Sequence, residues 1–262
     1  MHLFYSLHLA YSLSGFVVGL LVGLTGVGGG SLMTPLLMLL FGVPAATAVG
    51  TDLLYACVTK SVGTAVHGFS GTVEWPIVNR LALGSVPGTV LTLIVLSRYQ
   101  KQSSGVSTPI TTVLGVALIL TAISIIFRRR ILDAFAHAAR GLKPRTRTLL
   151  TVFLGLALGV LVSLSSVGAG ALGITFLLVL YPNLPASKLV GSDIAHAVPL
   201  TLVAGIGHWF LGSINASLLL SLLVGSIPGI IIGSYIASRI PDTVLRPVLA
   251  GTLAVVGVRL AL

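Results

Sequence analysis

Leu24-Thr25-Gly26-Val27-Gly28-Gly29-Gly30-Ser31, followed by Pro35, interrupts a long apolar run, and its reading decides the fold. Helix-breaking residues leave backbone N–H and C=O groups unpaired. In hydrocarbon such a break persists only where it lines a cavity or is buried in protein. The four glycines among residues 25–30 let backbone approach a ligand closely. A half-helix starting near Ser31 would aim its free N–H groups and positive dipole end at that ligand, which suits an anion. The competing readings are a glycine-rich helix contact and a loop outside the membrane. A degenerate second copy 140 residues later, Ser165-Ser166-Val167-Gly168-Ala169-Gly170, favours the ligand-lining one.

The rest of the chain has the composition of a membrane protein. Of its 262 residues 55% are hydrophobic and 8% charged, and the mean hydropathy is +1.09. Several spans of about 20 apolar residues each require such a composition. The net charge of +10 would suggest nucleic acid in a soluble protein. Here the basic residues cluster at the ends of apolar runs, where topology and anionic bilayer lipid account for them, so no nucleic-acid partner is expected. Cys57 is the single cysteine and lies in an apolar run, which leaves no disulfide framework and no thiolate metal site. No cofactor is expected. The N-terminal stretch lacks a basic n-region and reads as a first membrane segment, not a cleaved signal.

Apolar segments cover 9–24, 31–42, 47–67, 75–97 and 108–127, then 148–164, 171–181, 187–208, 214–238 and 243–261. Segments 31–42 and 171–181 are too short to cross a core about 30 Å thick. Each follows a glycine-rich break, so 9–42 and 148–181 read as paired broken or re-entrant hairpins. Between the halves lies a basic linker, 128–147, whose seven Lys and Arg residues place it in the cytoplasm by the positive-inside rule. If each hairpin returns to its own side, both termini lie outside. Arg239 and Arg246 then fall inside, and Arg98, Lys101 and Arg259 outside.

A shift of 141 residues superimposes Gly50 on Gly191, Asp52 on Asp193, His67 on His208 and Gly71 on Gly212. It also superimposes Gly84-Ser85-Val86-Pro87-Gly88 on Gly225-Ser226-Ile227-Pro228-Gly229. Matches at Asp and His carry weight, because the chain holds only five acids and six histidines. Two halves with odd crossings are related by inversion, as in many secondary transporters. The expected fold is an all-α polytopic membrane protein of two inverted repeats. Each repeat has a Gly-rich broken or re-entrant hairpin plus about three spanning helices. The domains would be 1–127, the linker 128–147, and 148–262. The Gly-Ser-apolar-Pro-Gly pair reads as a packing kink before a substrate contact.

Ionisable residues inside a membrane are functional by default. Asp52, Thr59, Gly63 and His67 share one helical face, but Asp52 and His67 stand about 22 Å apart along a helix. Inversion would put Asp52 at the depth of His208 and Asp193 at that of His67. The expectation is two Asp/His layers that act as gates or proton relays, against a reading of all four as solvated helix ends. Lys60, whose repeat mate is Thr201, would attract an anion, snorkel, or pair with an acid. His196, one turn after Asp193, is a candidate partner for it. Glu74, Trp75 and Trp209 look like interface anchors. The chain has no HExxH, Walker lysine or GxSxG motif, so no catalytic residue is expected.

These residues together resemble the TauE/SafE family of sulfite exporters. The likeness rests on Gly26 through Leu36, Val49-Gly50-Thr51-Asp52, His67, Gly71 and Trp75, and on a weaker copy at Val190-Gly191-Ser192-Asp193. It implies export of sulfite, thiosulfate, sulfoacetate or a related small sulfur-containing anion. In the second hairpin Ser166, Ala169 and Thr175 replace Gly26, Gly29 and Pro35, so the two breaks are not equivalent. The expected anion cradle is Thr25, Gly26, Gly28, Gly29, Gly30 and Ser31 with Ser165, Ser166, Gly168 and Gly170. Proton or membrane-potential coupling is expected. The alternatives are an uncoupled anion channel and a membrane subunit that docks a soluble sulfur-metabolism enzyme through the linker. Glycine-rich helix faces allow a homodimer.

Overall fold

The computed structural model describes residues 2–25, 30–69, 71–102 and 107–236, together with Gly251 and Val258. Ten α-helices fill this range: α1 (His2–Thr25), α2 (Gly30–Phe41), α3 (Ala45–Phe69), α4 (Trp75–Gln102), α5 (Ser107–Ile126), α6 (Arg128–Arg140), α7 (Pro144–Ser165), α8 (Ala171–Leu180), α9 (Ala186–Phe210) and α10 (Ala216–Ile236). No strand occurs among the described residues. Apart from Gly251 and Val258, the expected last segment, 243–261, with Arg246 and Arg259, lies outside them, as does Arg239.

Helices α4, α7, α9 and α10 are long and apolar enough to cross a bilayer. Helix α3 matches them in length and is more polar. Helices α5 and α6 meet at a 72° bend. The first 13 residues of the basic linker are therefore helical. They contain no glycine or proline, and Ile131, Leu132 and Phe135 recur at helical spacing. Pro144 then opens α7 at a position where a missing N–H costs nothing.

Two glycines one repeat apart end the central helices in the same way. Gly71 (φ 64°) and Gly212 (φ 70°) take the left-handed conformation that glycine adopts without steric cost. Behind them the Thr72 N–H reaches the His67 carbonyl at 3.1 Å, and the Ser213 N–H reaches the His208 carbonyl at 3.0 Å. Both are the 6→1 closure of a Schellman cap.

Packing then crosses between the halves. Helix α3 lies on α9, α1 lies on α10, and α4 lies on α7. The close contacts are reciprocal. Gly84 and Gly88 on α4 face Val152 and Leu156 on α7, while Gly225 and Gly229 on α10 face Ser12 and Phe16 on α1. In return Gly155 and Gly159 face Leu81 and Ser85, and Gly15 and Gly19 face Leu222 and Ser226. Helix caps are exchanged as well. The Asn215 N–H at the head of α10 donates to Thr51 Oγ1 (3.2 Å), and the Glu74 N–H at the head of α4 donates to Ser192 Oγ (2.8 Å). Cys57 Sγ lies 3.9 Å from the carbonyl oxygen of Val198, the residue one repeat spacing away. Pro87 and Pro228 sit inside α4 and α10, whose flanking glycines make these contacts. Packing is thus what the Gly-Ser-apolar-Pro-Gly motif does here.

At the surface, Trp75 and Trp209 are each 55% exposed. Glu74 accepts from Lys188 Nζ at 2.6 Å, with both side chains partly in solvent. Such a pair contributes little, so Glu74→Gln is expected to lower stability by less than about 1 kcal/mol in a detergent melt.

Candidate functional site

The second break is short and tightly specified. Helix α7 ends at Ser165, Ser166 adopts φ 58°, Gly168 φ 121° and Gly170 φ 144°, and α8 begins at Ala171. Ser166 is the one described non-glycine residue with positive φ. Its N–H still bonds the Val162 carbonyl (2.7 Å), and Ser165 Oγ accepts from the Val167 N–H (3.2 Å). On the far side the Gly173 and Ile174 N–H groups return to the Gly168 and Gly170 carbonyls. Helix α8, about 15 Å long at 1.5 Å per residue, is too short to cross a bilayer and is mostly buried.

Of the first break, Gly26, Gly28 and Gly29 lie outside the described residues. Thr25 is the last residue of α1, and Gly30 and Ser31 open α2.

Lys60, the buried cation of α3, turns to the second break. It is 5% exposed and donates to the Ala169 carbonyl at 3.1 Å. Of the three readings open to it, snorkelling is therefore excluded. Asp193 on α9 and Asp52 on α3 both act on its charge. A buried charge needs such partners, because removal from water costs several kcal/mol.

The two aspartates, equivalent in the repeat, differ in their surroundings. Asp52 is fully buried, and its Oδ2 accepts the Thr34 hydroxyl at 2.5 Å. Its Oδ1 faces Ser166 without closing a hydrogen bond. Asp193 is also fully buried, and neither oxygen has a hydrogen-bond partner among the described residues. Its Oδ1 lies where a Cβ on Gly173 would stand, so the missing side chain of α8 makes room for the carboxylate.

Among the described residues, His67, His196 and His208 do not hydrogen-bond to the aspartates. His208 Nε2 donates to the Ser163 carbonyl (2.9 Å), and His67 Nδ1 lies 2.9 Å from Thr72 Oγ1. His196 is not hydrogen-bonded to Asp193; its Nε2 meets Ser85 Oγ at 2.9 Å, and its Nδ1 has no partner among the described residues. Asp52, Asp193, Lys60, Ser165, Ser166, Gly168 and Gly170 therefore gather around the second break; His208, near the C-terminal end of α9, reaches the last turn of α7 through the Ser163 carbonyl, and His67 sits near the C-terminal end of α3. Sequence reasoning missed Thr34 and Ser85. Thr34 stands in the same ordered stretch as the first break and Ser85 in the repeated proline motif, but neither spacing discloses the partner.

Among the described residues no group of three or more His, Cys, Asp or Glu side chains is arranged to hold a metal. A helical bundle with apolar outer faces and charges buried at its centre defines a polytopic membrane protein. The family model "Sulfite exporter TauE/SafE" matches residues 11–260, and the chain belongs to that family. Two relatives in Bacillus subtilis (strain 168) are described as probable membrane transporter proteins. YjnA is 41% identical over 214 residues, covering 81% of this chain and 83% of YjnA. YdhB is 30% identical over 251 residues, covering 94% of this chain and 96% of YdhB. No solved structure matches the chain.

Proposed function

We propose that this TauE/SafE transporter carries sulfite or a related small sulfur-containing anion out across the cytoplasmic membrane, as a secondary transporter. One observation carries this reading. A lysine on a central helix is fully withdrawn from the surface and directed at a glycine- and serine-rich backbone break. Oxyanions are held by converging N–H groups, hydroxyls and a cation. Ser165, Ser166, Gly168 and Gly170 supply the first two beside Lys60, and Thr25 through Ser31 complete the cradle from the other hairpin.

The reciprocal glycine contacts and exchanged caps favour two halves related by inversion, with the basic stretch 128–147 on the cytoplasmic side. Alternating access then opens the cradle to one side at a time, and movement of each half displaces the pair it forms with the other. His67 and His208, near the helix ends, are placed to act as gates. The two buried aspartates, Asp52 and Asp193, are the candidates for proton coupling.

The test is uptake into proteoliposomes holding this protein alone, with sulfite, thiosulfate and sulfate compared under an imposed pH gradient. Concentrative uptake of one sulfur oxyanion above protein-free liposomes is expected. Fast flux without accumulation would make the protein a channel. No flux of any of them from folded protein would remove the transport of sulfur anions.

A further inference from the structure

We propose that Asp193 carries the coupling proton of this site. When an anion binds Lys60, Asp193 gives up its charge interaction with that lysine and takes a proton from the aqueous phase, so that one proton crosses with each singly charged anion, and export runs down the anion's own outward gradient. This deepens the transport reading above and rests on it.

The argument comes from an asymmetry between residues that the repeat makes equivalent. Beside the Ser166 it faces, Asp52 has two sources of stabilisation: the Thr34 hydroxyl and Lys60. In the second half neither source has a counterpart. Ile174 stands where Thr34 does at the 140-residue spacing of the hairpins, and Thr201 stands where Lys60 does. Asp193 is consequently left with Lys60 alone. Among the described residues that lysine, from α3, is the charged group acting on it. The other elements packed on α9 bring Ser85 from α4, Leu158 from α7 and Gly173 from α8. His196, on α9 itself, is turned to Ser85.

An anion seated on Lys60 takes away that one partner. A buried carboxylate without a countercharge costs several kcal/mol, and no described donor is in place to offset it. Protonation removes the charge instead. Asp52 keeps its Thr34 hydrogen bond in either state and has no such need.

Charge balances on both sides of the exchange. The empty site holds Lys60 and an ionised Asp193. The loaded site holds Lys60, the monoanion and a neutral Asp193. The net charge is the same, so the loaded and the empty protein reorient at equal electrostatic cost. When the anion leaves, the proton leaves Asp193 to the same aqueous phase, and the pair with Lys60 reforms.

The experiment uses radiolabelled sulfite and proteoliposomes with a pH gradient of one unit, the potential clamped by potassium and valinomycin, and entry into protein-free liposomes subtracted. Wild-type protein is expected to accumulate hydrogen sulfite, the singly charged form, about tenfold on the alkaline side, since one proton per monoanion converts one pH unit into one decade. In Asp193→Asn that ratio falls to near one, and residual flux follows the membrane potential. Asp193→Asn protein that keeps the tenfold ratio overturns the proposal. Should the variant not fold, the wild type decides under an imposed potential without a pH gradient: no accumulation supports the proposal, and accumulation overturns it. Wild-type protein that moves sulfite but ignores the pH gradient overturns this inference alone. Absence of any protein-dependent sulfite movement overturns the transport reading with it.

Discussion

Lys60→Met is expected to lower anion transport by at least ~100-fold and to destabilise the protein in the same step. Both effects follow from one geometry. The ammonium group is buried, bonded to the Ala169 carbonyl, and acted on by Asp193 and Asp52. Removing one member of a buried charge group leaves the others uncompensated, at a cost of about 3–5 kcal/mol. A loss of about 3 kcal/mol of anion stabilisation corresponds to ~100-fold in rate. Methionine keeps the length and the apolar stem, so packing is not the variable. The checks are proteoliposome flux and the melting temperature in detergent, read side by side. Near wild-type flux would remove Lys60 from the anion site. A second substitution, Asp193→Asn in the Lys60→Met background, is expected to restore much of the melting temperature and none of the transport, because it removes the orphaned charge and not the missing cation.

The second large effect is expected in the glycine contacts. Alanine in place of glycine within a helix ordinarily gains up to about 1 kcal/mol in propensity. At Gly84 and Gly225 the sign reverses. A Cβ on Gly84 would fall on the Val152 carbonyl oxygen, and one on Gly225 on the Ser12 carbonyl oxygen. These are backbone atoms, which cannot swing aside, so helix pair α4 and α7 or pair α1 and α10 must separate. Overpacking of flexible side chains already costs about 1–3 kcal/mol, and these sites lie at or beyond the upper end. Gly84→Ala and Gly225→Ala are expected to lower the melting temperature alike, the contacts being reciprocal. Gly63→Ala is the control, since its Cβ would meet one Ile194 methyl at 3.3 Å. Equal melting of all three variants would show that these contacts are not close in the folded protein.

Much of this arrangement was legible in residue spacing. Gly71 and Gly212 announced equivalent helix ends, and Gly84 with Gly225 announced equivalent packing sites, because only glycine tolerates a left-handed turn or backbone contact of this kind. The helical character of the apolar runs 108–127 and 148–164 followed from their length, whereas α7 begins at Pro144, inside the stretch read as linker. Spacing could not disclose which half a helix packs on. A repeat is consistent with two self-contained halves or with two that exchange partners, and the choice lies in the fit of Gly15 to Leu222 and of Gly155 to Leu81. Asp52 and Asp193 looked interchangeable for the same reason. Their difference lies in Thr34 against Ile174 on another helix, which becomes visible only once Thr34 is found on the Asp52 carboxylate. Lys60 offered three readings in sequence, and its burial against the Ala169 carbonyl removes one of them, snorkelling. The basic stretch showed its charge in the sequence, and the helix at 128–140 had to be seen.

The pairing of α1 with α10 bears on how the protein is made. Ser12 Oγ donates to the carbonyl of Ser221, 209 residues further along the chain. During synthesis α1 is made well before α10 and waits for its mate until α10 has left the ribosome, with its glycine face meanwhile open to lipid or to the insertion machinery. A nascent chain stopped before α10 therefore carries an orphan first helix, a natural mark for membrane quality control. Completion of the bundle is a late event in which one helix is stitched to another made 209 residues later.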